Sequence, residues 1–234
     1  PALSRIMPAL VALAFLLTPA TAVAQSAPEV RLSFSGAPEI VFKPGEGCEQ
    51  TDVPDVPTRA IRDAQGQLLV FALHYHNRPL RGQTLDKLKL DCRESYPSRF
   101  NRNPAAYESG SWIAGMWTRD GKSIEAILHH EYHADFYKNC RAAGGLACWY
   151  NTILAARSND GGSSFQKHDY PVIAAAPFTQ EIEQTPHRGF FNPSNIFSRG
   201  PHVYFFAAET GWQGMTSGSQ AENRSYQLHG VCLF

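Results

Sequence analysis

The chain has 234 residues, and its 21 lysine and arginine residues balance its 21 aspartate and glutamate residues, so the formal net charge is zero. A neutral chain has no basic excess for nucleic-acid binding, and 18% charged with 12% aromatic residues excludes a disordered chain or a coiled coil. With 18 glycines and 16 prolines, the composition favours a turn-rich β protein.

Residues 1–24 have the pattern of a secretory signal peptide. Arg5 supplies the positive charge, residues 9–17 form the apolar segment, and residues 22–24 (Ala-Val-Ala) form a cleavage site. The apolar segment is too short to cross a bilayer, which disfavours the alternative of an uncleaved anchor. We therefore expect a secreted or periplasmic protein that makes no membrane contact after cleavage.

Short apolar segments separated by turn residues predict β-strands along the rest of the chain. No segment after the signal keeps a helical period of apolar residues over three turns, so little helix is expected. The predicted strands cover residues 30–34, 68–75, 112–117, 124–128, 149–156, 203–207 and 226–234.

A turn glycine, an apolar strand and a polar strand end recur in the same order. The three copies run from Gly66 to residues 74–76, from Gly121 to residues 129–133, and from Gly200 to Glu209. A further turn at Gly161 gives glycine spacings of 55, 40 and 39 residues. Periods of about 40–50 residues with several strands per unit are typical of a β-propeller.

Residues 158–165 read Ser-Asn-Asp-Gly-Gly-Ser-Ser-Phe and match the pattern S-x-D-x-G-x-[ST]-[FW] at every defined position. In such a turn Asp160 accepts backbone N–H groups, Gly162 takes a positive φ and Phe165 packs beneath. The segment resembles the Asp-box of sialidases and related propellers; the alternative is a chance Asp-Gly hairpin. In those families the Asp-box lies at the blade periphery, so the resemblance bears on the fold and not on the chemistry.

Two further segments resemble secreted five-bladed propellers of the glycoside hydrolase type. Residues 192–196 (Asn-Pro-Ser-Asn-Ile) with residues 200–206 are similar to a blade opening, and residues 52–60 to a first-blade entry strand. The latter segment also resembles the arginine-containing first strand of sialidases. The resemblance implies an all-β propeller domain over residues 25–234.

Length indicates that this domain is incomplete. The 210 residues after the signal (234 − 24) suffice for about four blades, whereas five blades need roughly 250 residues. The chain begins with proline and closes within a predicted strand, so we expect a missing C-terminal part.

All five cysteines follow the signal, and export favours disulfides. Cys140 and Cys148 flank a flexible loop and are the first predicted pair, and Cys48–Cys92 is the second. Cys232 is left over. No C-x-x-C spacing occurs, so a zinc site of that type is not expected.

Glycoside hydrolysis needs a pair of carboxyl groups, one acid and one base or nucleophile. The strand ends and the propeller resemblance make Glu131, Asp55 and Glu209 the catalytic candidates. The alternative for each is an ordinary solvated residue at a strand end. Their separation does not follow from the sequence, so retaining and inverting outcomes both stay open.

On a strand, His129, Glu131 and His133 share one face and form a weak alternative, a metal site. No cofactor is otherwise expected, although a calcium or other structural ion stays open. The candidates for substrate binding are side chains that can pair with, hydrogen-bond or stack on a sugar: Arg59, His76, His129, Asn192, Asn195 and Trp212.

The sequence thus predicts an exported, monomeric carbohydrate-active β-propeller, and first of all a glycoside hydrolase. The rival hypothesis is a propeller that binds carbohydrate or a protein partner without catalysis, because a fold does not fix a function. Which glycan is bound stays open.

Overall fold

The computed structural model describes residues 31–138, 148–176, 188–210 and 230–234. The predicted signal peptide, Trp212 and Cys140 lie outside these ranges. The chain divides into two units, and the first, Pro1–Glu39, contributes the exposed and irregular residues 31–39. The strand predicted at residues 30–34 is therefore wrong over residues 31–34.

The second unit, Ile40–Phe234, contains only strands and three short 3-10 turns among its described residues, which confirms the all-β prediction. No helix in these ranges is long and apolar enough to cross a membrane. The turns are Pro44–Glu46, Leu85–Lys87 and Pro104–Ala106. The strands are β1 (Pro54–Arg62), β2 (Leu68–Leu73), β3 (Leu80–Gly82), β4 (Lys89–Leu90), β5 (Gly110–Thr118), β6 (Ile124–His133), β7 (Trp149–Ser158), β8 (Gln166–Ala174), β9 (Arg188–Phe191), β10 (Phe197–Arg199), β11 (His202–Tyr204), β12 (Phe206–Thr210) and β13 (Gly230–Leu233).

In the described ranges the strands form a four-stranded antiparallel sheet, a seven-stranded sheet and a separate two-stranded hairpin. Strands β1 to β4 pair in chain order as one sheet, and β5 to β8 pair in chain order as the next. Strand β9 runs parallel to β7 and connects β12 and β13 to the second sheet, while β10 and β11 form a separate hairpin.

The strands that the sequence predicts correctly are those formed by apolar segments, namely β2, β5, β6 and β7, and most of their residues are buried. Short strands such as β4 carry too few residues to show a pattern, and β8 is largely exposed and polar. The strand predicted at 203–207 is divided at Phe205 between β11 and β12. Of the last predicted strand, only residues 230–234 are described, and β13 lies there.

The hydrophobic core lies between the first two sheets. Alternate side chains of β5, β6 and β7 point toward β2 and exclude water, as the period of two in a strand requires. The buried cluster consists of Leu69, Phe71, Tyr96, Ile113, Met116, Ile124, Ala126, Leu128, Leu154, Ala156 and Phe165.

The turn between β7 and β8 has the geometry predicted for residues 158–165. The Asp160 carboxylate accepts the backbone N–H of Ser164 at 2.9 Å and the hydroxyl of Ser158 at 2.7 Å. Gly162 has a φ of +80°, and an added Cβ would lie 2.3 Å from the Leu69 side chain. Phe165 is 5% exposed and packs into the core. The motif therefore fastens the second sheet to the first.

Arg59 of β1 joins three segments that are distant in sequence. Its Nε donates to the Ala114 carbonyl of β5 at 2.7 Å, and an Nη donates to the Pro193 carbonyl after β9 at 2.7 Å. Burial lowers the pKa of this guanidinium, because the partners are neutral carbonyls that offset only part of the lost hydration.

The Cys48–Cys92 disulfide is confirmed and closes the first sheet, with Cα atoms 5.7 Å apart. Cys148 is also disulfide-bonded, and its predicted partner Cys140 lies outside the described residues. Cys232, the cysteine left over from the two predicted pairs, carries a free thiol.

Replacing both Cys48 and Cys92 by alanine should lower the free energy of unfolding by about 4 kcal/mol, because the disulfide restricts the unfolded chain. The two cysteines are 44 positions apart, so the released loop is long. Urea unfolding of the oxidised proteins measures the difference. Cys232→Ala is the control and should change stability far less; equal midpoints for the double variant and wild type would contradict the prediction.

Arg59→Met should destabilise the fold by about 2 kcal/mol or more, because the carbonyls of Ala114 and Pro193 lose their donors in a partly buried position. Urea unfolding again provides the measurement. The exposed Arg99 gives a matched control, Arg99→Met, which should have little effect. Identical losses in the two variants would show that the bridging hydrogen bonds contribute nothing specific.

Candidate functional site

A cavity of about 340 Å³ opens at one edge of the two sheets. Because consecutive strands are antiparallel, the ends of β2 and β6 lie near the beginnings of β1, β5 and β7, and side chains from all five meet there. The lining residues are Asp55, His74, Tyr75, Phe100, Ser109, Gly110, Trp112, Glu131, His133, Phe136 and Trp149.

Glu131 lies near the end of β6 between two histidines on the same strand face. Its Oε1 is 2.9 Å from His129 Nε2, and its Oε2 is 3.1 Å from His133 Nε2. Burial by itself raises the pKa of this carboxyl, but the two hydrogen bonds outweigh burial and hold the pKa at about 2. Glu131 is therefore ionised at neutral pH.

Asp55 of β1 is the second carboxylate of the cavity. Its Oδ2 accepts the indole N–H of Trp112 at 2.9 Å and lies 3.2 Å from His74 Nε2. Oδ1 has no hydrogen-bond partner in the part of the chain that the structure describes. With 42% of its side chain exposed, Asp55 offers this oxygen to a ligand in the cavity.

Aromatic rings form much of the wall. His133 is stacked between Phe136, at 4.7 Å between ring centroids, and Trp149, at 4.9 Å. The rings of Tyr75 and Phe100 are nearly perpendicular, with their centroids 5.0 Å apart. Phe136 and Phe100 are 66% and 40% exposed, so their faces are open to an incoming ligand.

His130 has a structural role on the opposite face of β6. The backbone N–H of Ser109 donates to its Nε2 at 3.2 Å, so Nδ1 carries the proton and donates to Thr152 Oγ1 at 3.0 Å. Complete burial lowers the pKa of His130 to about 3, and the ring is neutral in the folded protein.

Of the three predicted catalytic carboxylates, Asp55 and Glu131 line this cavity and Glu209 does not. Glu209 is on β12, three strands from β6 in the sheet, which is roughly 14 Å at the usual strand spacing. It accepts the Cys232 thiol at 3.3 Å and lines a different cavity of about 480 Å³ together with Asn192. Burial and this carboxylate raise the pKa of the Cys232 thiol.

The residues predicted to bind substrate are dispersed. His129 contacts the Glu131 carboxylate through its Nε2, whereas the Arg59 guanidinium donates hydrogen bonds to main-chain carbonyls. Asn192 has a φ of +47°, which asparagine tolerates well, and Asn195 is exposed. Trp212 lies outside the described residues.

His74 occupies the place for which the sequence suggested His76. Strand β2 ends at Leu73, and the N–H of Asn77 closes a turn onto the His74 carbonyl at 3.0 Å. The turn sends His76 toward Glu94, 2.6 Å from its Nδ1, in an ion cluster with Glu49 and Arg78. Nothing in the sequence of residues 74–76 predicts that His74 lies at the cavity and that His76 points away from it.

His129, Glu131 and His133 share one strand face as predicted, but both rings direct Nε2 at the carboxylate. In the described ranges, no group of three or more His, Cys, Asp or Glu side chains is arranged to hold a metal ion.

Comparison of the chain with protein-family models and with curated proteins finds no match. We therefore infer function from the geometry of the site.

Acidification should destabilise the protein through His130. Its pKa is about 3 when folded and near 6.5 when exposed, so below pH 6.5 the unfolded chain binds the extra proton and the free energy of unfolding falls. The slope contributed is at most about 1.4 kcal/mol per pH unit. Glu131 adds to the loss only below its ordinary pKa of 4.5.

Urea unfolding between pH 6.5 and 5 tests this effect, since the contribution of Glu131 begins only below this range. His130→Gln should flatten the pH dependence, whereas His202→Gln, at an exposed position, should not. A His130→Gln variant with the wild-type slope would contradict the assignment.

Proposed function

We propose that this chain is an exported carbohydrate-active β-propeller and that the cavity between β1 and β6 is its glycan site. The groups β1–β4 and β5–β8 would be two successive blades, while β9, β12 and β13 continue the second sheet through the pairing of β9 with β7. The described strands thus fill fewer blades than the four expected from length. The positive φ of the turn glycines Gly66, Gly121, Gly161 and Gly200 supports the repeated hairpins on which this proposal rests.

One observation carries the functional proposal: Asp55 and Glu131, from two different sheets, line a single cavity with aromatic walls. Its volume is suited to a small ligand such as a sugar ring. Exposed ring faces at Phe100 and Phe136 can pack against the apolar C–H faces of a sugar, while carboxylates accept its hydroxyls.

The two carboxyl groups are suited to different parts of a hydrolysis. Glu131 stays ionised and would act as the base or nucleophile, or would stabilise the positive charge that develops on the sugar. Asp55 has an Oδ1 at the cavity surface with no hydrogen-bond partner among the described residues, and in its protonated form it would donate the proton to the leaving oxygen, whereas in its ionised form the same oxygen accepts a donor group of the ligand. The histidines at 129 and 133 hold Glu131 in place in either role.

A non-catalytic glycan-binding protein is the second candidate. Both oxygens of Glu131 are already held by imidazole rings, so the carboxylate has to release one of them before it can attack a sugar carbon. In a binding protein the same two imidazole contacts would hold Glu131 as an ionised acceptor for sugar hydroxyls, and neither contact would have to break.

Hydrolysis of a panel of oligosaccharides, followed by release of reducing ends, tests the proposal. Asp55→Asn and Glu131→Gln should each lower activity at least about 100-fold, the usual contribution of a general acid or base, while thermal melts show that both variants fold. The exposed Asp86 supplies a control, Asp86→Asn, with wild-type activity expected.

Full activity in both site variants would refute the catalytic assignment. Glycan binding by the wild type without any turnover would support the binding protein instead. Loss of that binding in the Asp55 and Glu131 variants, but not in Asp86→Asn, would still assign the ligand to this cavity.

A further inference from the structure

The charged side chains that line the cavity are all acidic. Asp55 and Glu131 line it, and no lysine or arginine does so among the described residues. Arg59, the nearest candidate for an anion-binding residue on β1, is occupied by the carbonyls of Ala114 and Pro193. An acidic sugar would therefore meet two carboxylates and no described guanidinium or ammonium group.

The groups that hold the two carboxylates are neutral donors or imidazoles. Trp112 donates an indole N–H to Asp55, and His74 lies beside the same oxygen. His129 and His133 contact Glu131. Among the described residues, no lysine or arginine contacts either carboxylate.

The aromatic walls add to this preference. A cation over the face of a phenylalanine, tyrosine or tryptophan ring is attracted by the negative ring face, whereas an anion is repelled. Phe100 and Phe136, which line the cavity, are 40% and 66% exposed, and Tyr75, Trp112 and Trp149 line it as well. Acidic side chains and open ring faces together suit a cationic ligand.

We propose that the cavity selects saccharides that carry a protonated amino group over neutral and acidic saccharides. The inference rests on the proposed carbohydrate function and adds the class of sugar. The ammonium donates to Asp55 Oδ1, which has no partner among the described residues, and forms a charge-assisted hydrogen bond that a hydroxyl forms less strongly. Acidic sugars are disfavoured at this site.

Calorimetric titration of the full chain with matched trisaccharides tests the inference. The probes are β-1,4-linked trimers of glucosamine, of N-acetylglucosamine and of glucose, together with a galacturonic acid trimer. They are compared at a pH that keeps the amine of glucosamine protonated. The glucosamine trimer should bind at least about tenfold more tightly than the glucose trimer, and the galacturonic acid trimer should bind most weakly.

Asp55→Asn should weaken binding of the glucosamine trimer at least about tenfold more than binding of the glucose trimer, so that the two affinities become similar. The substituted amide keeps an oxygen for the Trp112 indole, and thermal melts check the fold. Asp86→Asn, which removes an exposed carboxylate elsewhere, should retain the wild-type selectivity.

Equal affinities for the glucosamine and glucose trimers, or tighter binding of the acetylated or acidic trimer, would overturn the charge selectivity while leaving the carbohydrate function intact. Selectivity that survives in Asp55→Asn would equally overturn the assigned contact. Failure of every saccharide to bind would instead refute the proposed function together with this inference.

Discussion

The uninterrupted pairing of β6 with β7 is the constraint on which the rest of the structure depends. Ten consecutive residue pairs run from Ile124–Ser158 to His133–Trp149 without a bulge. The alternation of side chains therefore holds along the whole ladder, with Leu128 in the core on one face and Glu131 at the cavity on the other. A slip of one residue would exchange the two faces, placing the carboxylate in the core between the first two sheets and the leucine on the face of the cavity. Core packing thus fixes the register, and the register places the candidate site.

Electrostatics at the site follow from that placement. Burial of Glu131 opposes its ionisation, and the histidines two positions away on either side offset the penalty because the strand directs all three side chains to one face. His130, between them in sequence, points the other way and is neutral in the core. Adjacent histidines of one strand therefore have opposite roles. Residues 129–133 thus supply one neutral histidine to the core and two histidines that contact the Glu131 carboxylate.

The second half of the cavity comes from another sheet, so the site depends on how the first two sheets pack. Gly162 and Phe165 of the turn after β7 lie against Leu69 and Phe71, and Arg59 holds β1 to the main chain of β5. These contacts place Asp55 within hydrogen-bonding distance of Trp112. The turn motif contributes no catalytic group, yet it helps to fix the distance between the two acidic residues. In this protein the turn motif and the candidate site are linked through packing.

Local features follow from the sequence alone. Apolar segments and turn glycines identify β2, β5, β6 and β7, and the period of two places His129, Glu131 and His133 on one face, because these properties depend on near neighbours and backbone sterics. Only the tertiary structure decides that Asp55 joins Glu131 and that Glu209 does not, since β7 and β9 intervene between β6 and β12. It likewise decides that a turn brings His74 to the cavity and directs His76 elsewhere. The physical reason is that the site is made of contacts between residues far apart in the chain, whose meeting is set by strand order and sheet packing.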